Sequence, residues 1–278
     1  MTTTHHTPGG TSASDGHGGP GARPAAAGQR GAGSPRGVQF VKFNFYRVRD
    51  EVRAGPVDAR LEVAGRLGDL LERSAERMLT RLYSTVGTRA DTDFLVWQVA
   101  DDLRVISDWH AELLATPLAA ALERPHSYLS MTMRSIYSNP LHPAQQGQQR
   151  DRLRSDGGQD GYLFVYPMVK TRAWYKLPAS ERQRIMDEHI AIGHHYHDIK
   201  INTTYSYGLD DQEFVVAFEG DDPGEFLALV RELRDSESSS YTERDTPMFT
   251  CRRMETPAQL LAHVGLVAGA LGVPAAAR

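Results

Sequence analysis

The chain has 278 residues, 40% of them hydrophobic and 24% charged, with a formal net charge of -4. Such proportions belong to a soluble globular protein of one large or two ordinary domains, and the slight acidity argues against nucleic-acid binding, which needs a basic face. No apolar run is long enough for a membrane span or a signal-peptide core, so a cytoplasmic protein without membrane insertion is expected.

Residues 1–36 are rich in Gly, Ala, Pro and Ser and lack the large apolar groups that offset the entropy of ordering; they read as a disordered tail, with His5, His6 and His17 solvated. Order is expected from Val38. Val41, Phe43 and Phe45 alternate with Lys42 and Asn44, as in a half-buried strand over 38–48. A helix over 58–76 carries the stripe Leu61, Ala64, Leu67, Leu70 and Leu71. Strands at 78–86 and 93–100 flank a polar turn from Gly87 to Thr92. A helix over 102–122 follows, with Leu103, Ile106, Trp109, Leu113 and Leu114 on one side. The strand at 127–137 alternates Leu129, Met131 and Met133 with Ser130, Thr132 and Arg134.

Residues 138–160 break the pattern with Pro140, Pro143, a glutamine-rich run from Gln145 to Gln149, and Gly157-Gly158, and read as a long exposed connection. The order then recurs. A strand at 161–169 leads to a helix over 179–196 with Ser180 as a cap near its start. Strands at 200–208 and 211–219 turn through Leu209-Asp210. The next helix opens at Asp222-Pro223, a carboxylate cap before a first-turn proline, and its stripe is Phe226, Leu229, Val230 and Leu233. A strand at 247–254 and a helix over 257–268 complete the chain. Cys251, the single cysteine, excludes an intrachain disulfide and reads as a buried thiol in that last strand. The outcome is an α+β chain of two ferredoxin-like β-α-β-β-α-β halves, 37–137 and 161–278, packed sheet against sheet as a dimeric α/β barrel.

One residue stands out. Ile185, four before, and Ile192, three after, place His189 on the apolar face of its helix. A buried imidazole needs a partner, since an unpaired buried polar group costs about 1–3 kcal/mol. By itself His189 reads as a core histidine. Its company is Tyr166-Pro167-Met168-Val169-Lys170-Thr171-Arg172-Ala173-Trp174-Tyr175, the hairpin from Tyr205 to Phe214, and Glu232-Leu233-Arg234-Asp235-Ser236-Glu237. In order and spacing over about 160–255, these segments resemble the haem-binding half of the chlorite dismutase superfamily, closest to the actinobacterial coproheme decarboxylases. The first half resembles that family in layout only.

The resemblance implies a role for each matching position. His189 would be the axial ligand of the iron in haem b or iron-coproporphyrin III. Glu237 would accept the ring N–H of His189 and Lys170 would hold that carboxylate. Trp174 would lie beside the porphyrin, Arg234 would anchor a propionate, and Tyr166 would be the redox-active tyrosine. Chlorite dismutases resemble one another in carrying an arginine thirteen residues after the axial histidine; here that position is Asn202, which has no charge to hold chlorite. The expected activity is therefore peroxide-driven loss of two propionate carboxyls from iron-coproporphyrin III, giving haem b, in a homo-oligomer that family likeness makes a pentamer. Actinobacterial decarboxylases also use a distal histidine. By spacing that position falls near Gln149, and His142 is the nearest histidine. Other classes fit some of the same residues: a peroxidase-type or specialised-metabolism haem protein of this fold, a non-catalytic haem carrier, or a metal module built on His189, His194, His195 and His197. The last is disfavoured, because helical zinc pairs prefer a spacing of four.

Overall fold

The computed structural model describes residues 38–133, 137, 153 and 161–268. The tail at 1–36, and His142 and Gln149 in the connection, lie outside the described residues.

In the first half, β1 (Phe40–Val48) is followed by a short helix α1 (Asp50–Ala54) and the long helix α2 (Val57–Arg77). Strands β2 (Leu79–Ser84) and β3 (Phe94–Ala100) come next, then α3 (Leu103–Leu114), α4 (Leu118–Ala121) and β4 (Leu122–Met131). The single helix expected over 102–122 is thus two. Pro117 has no N–H to donate and stands at the break, and β4 consequently begins at Leu122 rather than near 127. In the second half, β5 (Tyr162–Lys170) leads through α5 (Arg172–Lys176) to α6 (Ala179–His194). Then come β6 (Lys200–Tyr205), β7 (Phe214–Gly220), α7 (Pro223–Asp235), a 3-10 turn (Glu237–Tyr241), β8 (Thr242–Arg244), β9 (Phe249–Met254) and α8 (Pro257–His263). Asp222 caps α7 by accepting from the Gly224 N–H. Ser180 does not cap α6, which starts one residue earlier, after Pro178, with no side-chain cap.

Each half pairs its strands in the split-βαβ order. β1 sits between β4 and β3, with β2 beyond β3. Likewise β5 sits between β9 and β7, with β6 beyond β7. The pairs β2–β9 and β4–β6 join the halves, so eight antiparallel strands close into a barrel, with β8 an appendage on β5. Alternation then decides which side chains face inward. Val41, Phe43, Phe45, Tyr83, Leu95, Trp97, Leu163, Val165, Val215, Ala217, Phe249 and Cys251 fill the interior. The opposite faces receive the helices. In the first half that layer is densely filled by Leu67, Leu70 and Leu71 of α2 and Ile106 and Trp109 of α3, and the Trp109 indole donates to the Leu70 carbonyl at 3.0 Å. Among the described residues no helix is long and apolar enough to cross a membrane.

Candidate functional site

The helix layer of the second half is built differently. α2 buries Ala64, Leu67, Leu70, Leu71 and Ser74, whereas α6, at 16 residues, buries Ile185 alone. α2 and α3 come down onto β2 and β3, while α6 packs closely on α7 and the 3-10 turn. Tyr166, Phe164, Val216 and Phe218 cover the sheet face opposite α6 and α7, and Met168, Ile192 and Phe214 close around them half-buried. Fewer apolar groups are withdrawn from water here, at about 25 cal/mol per Å² of area, so this layer holds less of the folding energy.

His189 occupies that layer. Ile185, one turn before it, is fully buried, and Ile192 packs on the cluster containing Tyr166. The Nδ1 atom of His189 is buried and has no hydrogen-bond partner. Burial, reinforced by the nearby Lys170 ammonium, pulls its pKa down to about 4. The imidazole is therefore neutral at pH 7, the form that ligates a metal. Lys170, on β5, is itself buried, which lowers its pKa to about 8 against the pull of Glu213. Its ammonium donates to the Ser238 carbonyl at 2.9 Å and the Ser238 hydroxyl at 3.1 Å, and stands 5.0 Å from the centre of the Trp174 ring. Trp174, fixed by α5, is buried against Tyr241, with ring centroids 5.4 Å apart.

Glu237 departs from the expected pairing. Its carboxylate meets Arg184 of α6 at 2.7 Å, and its own N–H donates to Glu188 at 3.2 Å. Lys170 takes Ser238, the next residue along the 3-10 turn, in its place. An exposed carboxylate beside a guanidinium satisfies itself in water at no desolvation cost, whereas reaching Nδ1 would bury it. The turn bearing Glu237 is nonetheless docked on α6 through Arg184, Glu188 and Met186.

Tyr166 is 9% exposed and stacks on Phe218 at 6.0 Å. Burial, with Asp245 adding to it, holds its phenol pKa far above the ordinary value, and Arg234 opposes that only in part. Arg234 is ion-paired with Asp245, so the cation expected to anchor a carboxylate already has one partner.

Asn202 needs the largest correction. In the β6–β7 register it stands opposite Ala217, which faces the barrel interior, and its amide donates to Glu219 at 2.8 Å. A residue count from His189 does not fix strand parity, and a shift of one residue exchanges faces. The side chains of β6 that face α6 are those of Ile201, Thr203 and Tyr205. Ile201 Cδ1 lies where a Cβ on Gly193 of α6 would touch it, at 3.5 Å. The wall opposite α6 is thus apolar or hydroxylic and uncharged at this level.

At the C-terminal ends of β5 and β6 stands a polar group that the sequence did not reveal. Tyr175 donates to Glu213 at 2.6 Å and lies 3.1 Å from the Tyr207 hydroxyl. The Lys170 N–H also reaches Glu213, at 2.8 Å. The aromatic density of 205–214 was the only signal in the sequence. Among the described residues no three His, Cys, Asp or Glu side chains are gathered to hold a bare metal ion. His195 instead lies 3.7 Å from Glu232. A single neutral imidazole facing a tyrosine-bearing sheet across an apolar layer suits a metal that arrives with its own planar ligands.

The chain is similar to known proteins in sequence and in fold. Residues 60–254 match the family model described as chlorite dismutase. The coproheme decarboxylase of Mycolicibacterium smegmatis is 28% identical over 222 residues, covering 78% of this chain and 90% of that protein. The coproheme decarboxylase of Thermus thermophilus is 32% identical over 191 residues, covering 66% and 75%. Among solved structures, an arginine-to-alanine variant of chlorite dismutase from Candidatus Nitrospira defluvii superposes with a TM-score of 0.72 at 20% identity, over 82% of this chain and 95% of that one.

Proposed function

The chain belongs to the chlorite dismutase family, and from that premise we propose that it is a haem enzyme of the coproheme decarboxylase kind, using hydrogen peroxide to convert iron-coproporphyrin III to haem b. The observation that carries this reading is the pairing of an orphaned, neutral His189 with Tyr166 on the same loosely filled layer. His189 would hold the iron. Because its ring is already deprotonated at neutral pH, binding needs no proton release. Trp174 and Lys170 would flank the macrocycle, and Arg234 would exchange or share Asp245 with a propionate. Glu237 would turn from Arg184 to Nδ1, satisfying the one polar atom left without a partner.

When bound, the iron porphyrin supplies the oxidising equivalent derived from peroxide. Tyr166 stays a protonated phenol at pH 7, so it loses proton and electron together. As a radical it would then take hydrogen from the propionate β-carbon, and loss of one more electron, the second of the two that each peroxide accepts as it becomes water, would release carbon dioxide as the vinyl group forms. Phe218 holds its ring in place, and the surrounding apolar side chains keep water from quenching it. The uncharged wall formed by Ile201 and Thr203 offers no cation to chlorite, which disfavours dismutation. Family likeness further supports a cytoplasmic homopentamer. A peroxidase-type or carrier haem protein is the second reading, favoured by that same wall, since neither residue is a base for peroxide.

The test is anaerobic reconstitution with iron-coproporphyrin III, peroxide titration, and mass spectrometry of the porphyrin. Two successive losses of carbon dioxide with hydrogen, absent in Tyr166→Phe, are expected. An intact porphyrin that remains ligated through His189 would instead select the second reading.

A further inference from the structure

One end of the barrel interior carries charge. Arg81 of β2 and Glu219 of β7 meet at 2.9 Å across the two halves, with side chains 3% and 1% exposed. Glu219 also takes the Asn202 amide at 2.8 Å and faces Lys200 at 3.5 Å, so its acceptor capacity is engaged. The Arg81 guanidinium lies over the Trp97 ring at 4.9 Å, and the Trp97 and Tyr83 rings are 6.3 Å apart. Arg253 stands opposite Tyr83 in the β2–β9 register, its guanidinium carbon 6.0 Å from the Tyr83 ring.

Trp97 Nε1, Tyr83 Oη and Arg253 Nη1 are all buried without a well-formed hydrogen bond; the Arg253 guanidinium approaches the Tyr83 hydroxyl, which leaves the phenol proton, the indole N–H and the guanidinium charge unanswered. Trp97 and Tyr83 are each 1% exposed. An orphaned buried donor costs about 1–3 kcal/mol. The indole N–H, the phenol proton and an uncompensated guanidinium charge weigh heavily against a total stability of about 5–15 kcal/mol. The indole and guanidinium only donate, and the phenol is also a donor. Among the described residues no carboxylate pairs with Arg253. A water molecule would satisfy some donors but would bring two hydrogens of its own, and Glu219 is already committed. An anion brings none and answers the guanidinium charge as well.

We propose that this end of the barrel binds a small monovalent anion of the halide class, held between the two halves by Trp97 Nε1, Tyr83 Oη and Arg253. Trp97 and Tyr83 belong to β3 and β2 and Arg253 to β9, so the anion ties the first sheet to the second. It lies on the interior face of the barrel, away from the helix layer that carries His189.

The experiment is anomalous diffraction from crystals in which chloride is replaced by bromide. It is paired with melting of the protein in chloride against gluconate at equal ionic strength. A bromide peak within hydrogen-bonding distance of the three atoms is expected, with a saturable rise in Tm in chloride. Arg253→Met should lose both the peak and the chloride response. Trp97→Phe, which keeps the ring and removes one donor, should raise the half-saturating chloride concentration about tenfold. Water density without an anomalous signal would overturn the proposal. So would a peak, or a chloride response, that survives unchanged in Arg253→Met. Should Arg253→Met fail to fold, an unaltered chloride response in Trp97→Phe would overturn it equally.

Discussion

The two halves share one topology but differ in what lies between helix and sheet. Under α2 and α3, leucines and Trp109 interlock until little water-accessible surface remains. Under α6, Ile185 is the one fully buried residue of the helix, Ile192 is half-buried, and a histidine nitrogen is left without a partner. A fold written twice has used one copy for stability and left the other short of contacts that a flat, iron-bearing ligand would supply. On the proposed function, activity belongs to the copy that is worse packed.

The comparison can be broken most forcefully through ligand binding. Porphyrin at about a thousand times its dissociation constant contributes about 4 kcal/mol. For a domain of this size that is a rise in Tm of about 10 °C. His189→Ala should weaken porphyrin binding by about 100-fold, measured by absorbance titration. His110→Ala, on α3 of the filled half, should leave affinity unchanged. Equal losses in both variants would deny that the halves have separate roles.

Next in size is core truncation. Leu70→Ala on α2 should cost the apoprotein about 3 kcal/mol in denaturant unfolding. Ile192→Ala on α6 should cost about 1 kcal/mol without ligand and more once the porphyrin is bound.

Acid isolates the contribution of His189 when it is compared with a variant that lacks it. His189 has a folded pKa of about 4 against an ordinary 6.5, so the unfolded chain binds the extra proton between those values. Stability is then full above pH 6.5 and falls as the pH drops toward 4, by about 1–3 kcal/mol. His110, also lowered to about 4 by burial, acts in the same window. The quantity to measure is therefore the difference in pH slope between wild type and His189→Ala; identical slopes would contradict the assignment.

Glu237→Gln is the subtlest case. In the apoprotein Tm should not change measurably, because the pair with Arg184 is exposed. In the loaded protein the iron reduction potential should rise as a charged acceptor of the ring N–H is lost. An unmoved potential would leave Glu237 with Arg184.

Much of this was legible in the residues. The alternation of Val41, Phe43 and Phe45 and the stripe from Ala64 to Leu71 reported true periodicities, and those set the barrel and its outer layer. Cys251 is buried, as its strand setting implied. Three features escaped for physical reasons. Pro117 broke a helix whose apolar spacing ran on past it. The face of Asn202 depended on strand parity, which the Ile-Asn-Thr-Thr-Tyr run does not advertise because threonine suits either side. The Glu237 pairing depended on competition between a nearby guanidinium and a buried imidazole, and spacing carries no trace of that.

The central claim is that the layer beneath α6 is completed by a porphyrin held at His189. Amide hydrogen exchange of the apoprotein and the iron-coproporphyrin III complex tests it most directly. The account predicts strong added protection along α6 and the 3-10 turn at Glu237–Tyr241, with α2 and α3 unchanged. Protection spread evenly over both helix layers, or none at α6, would contradict it.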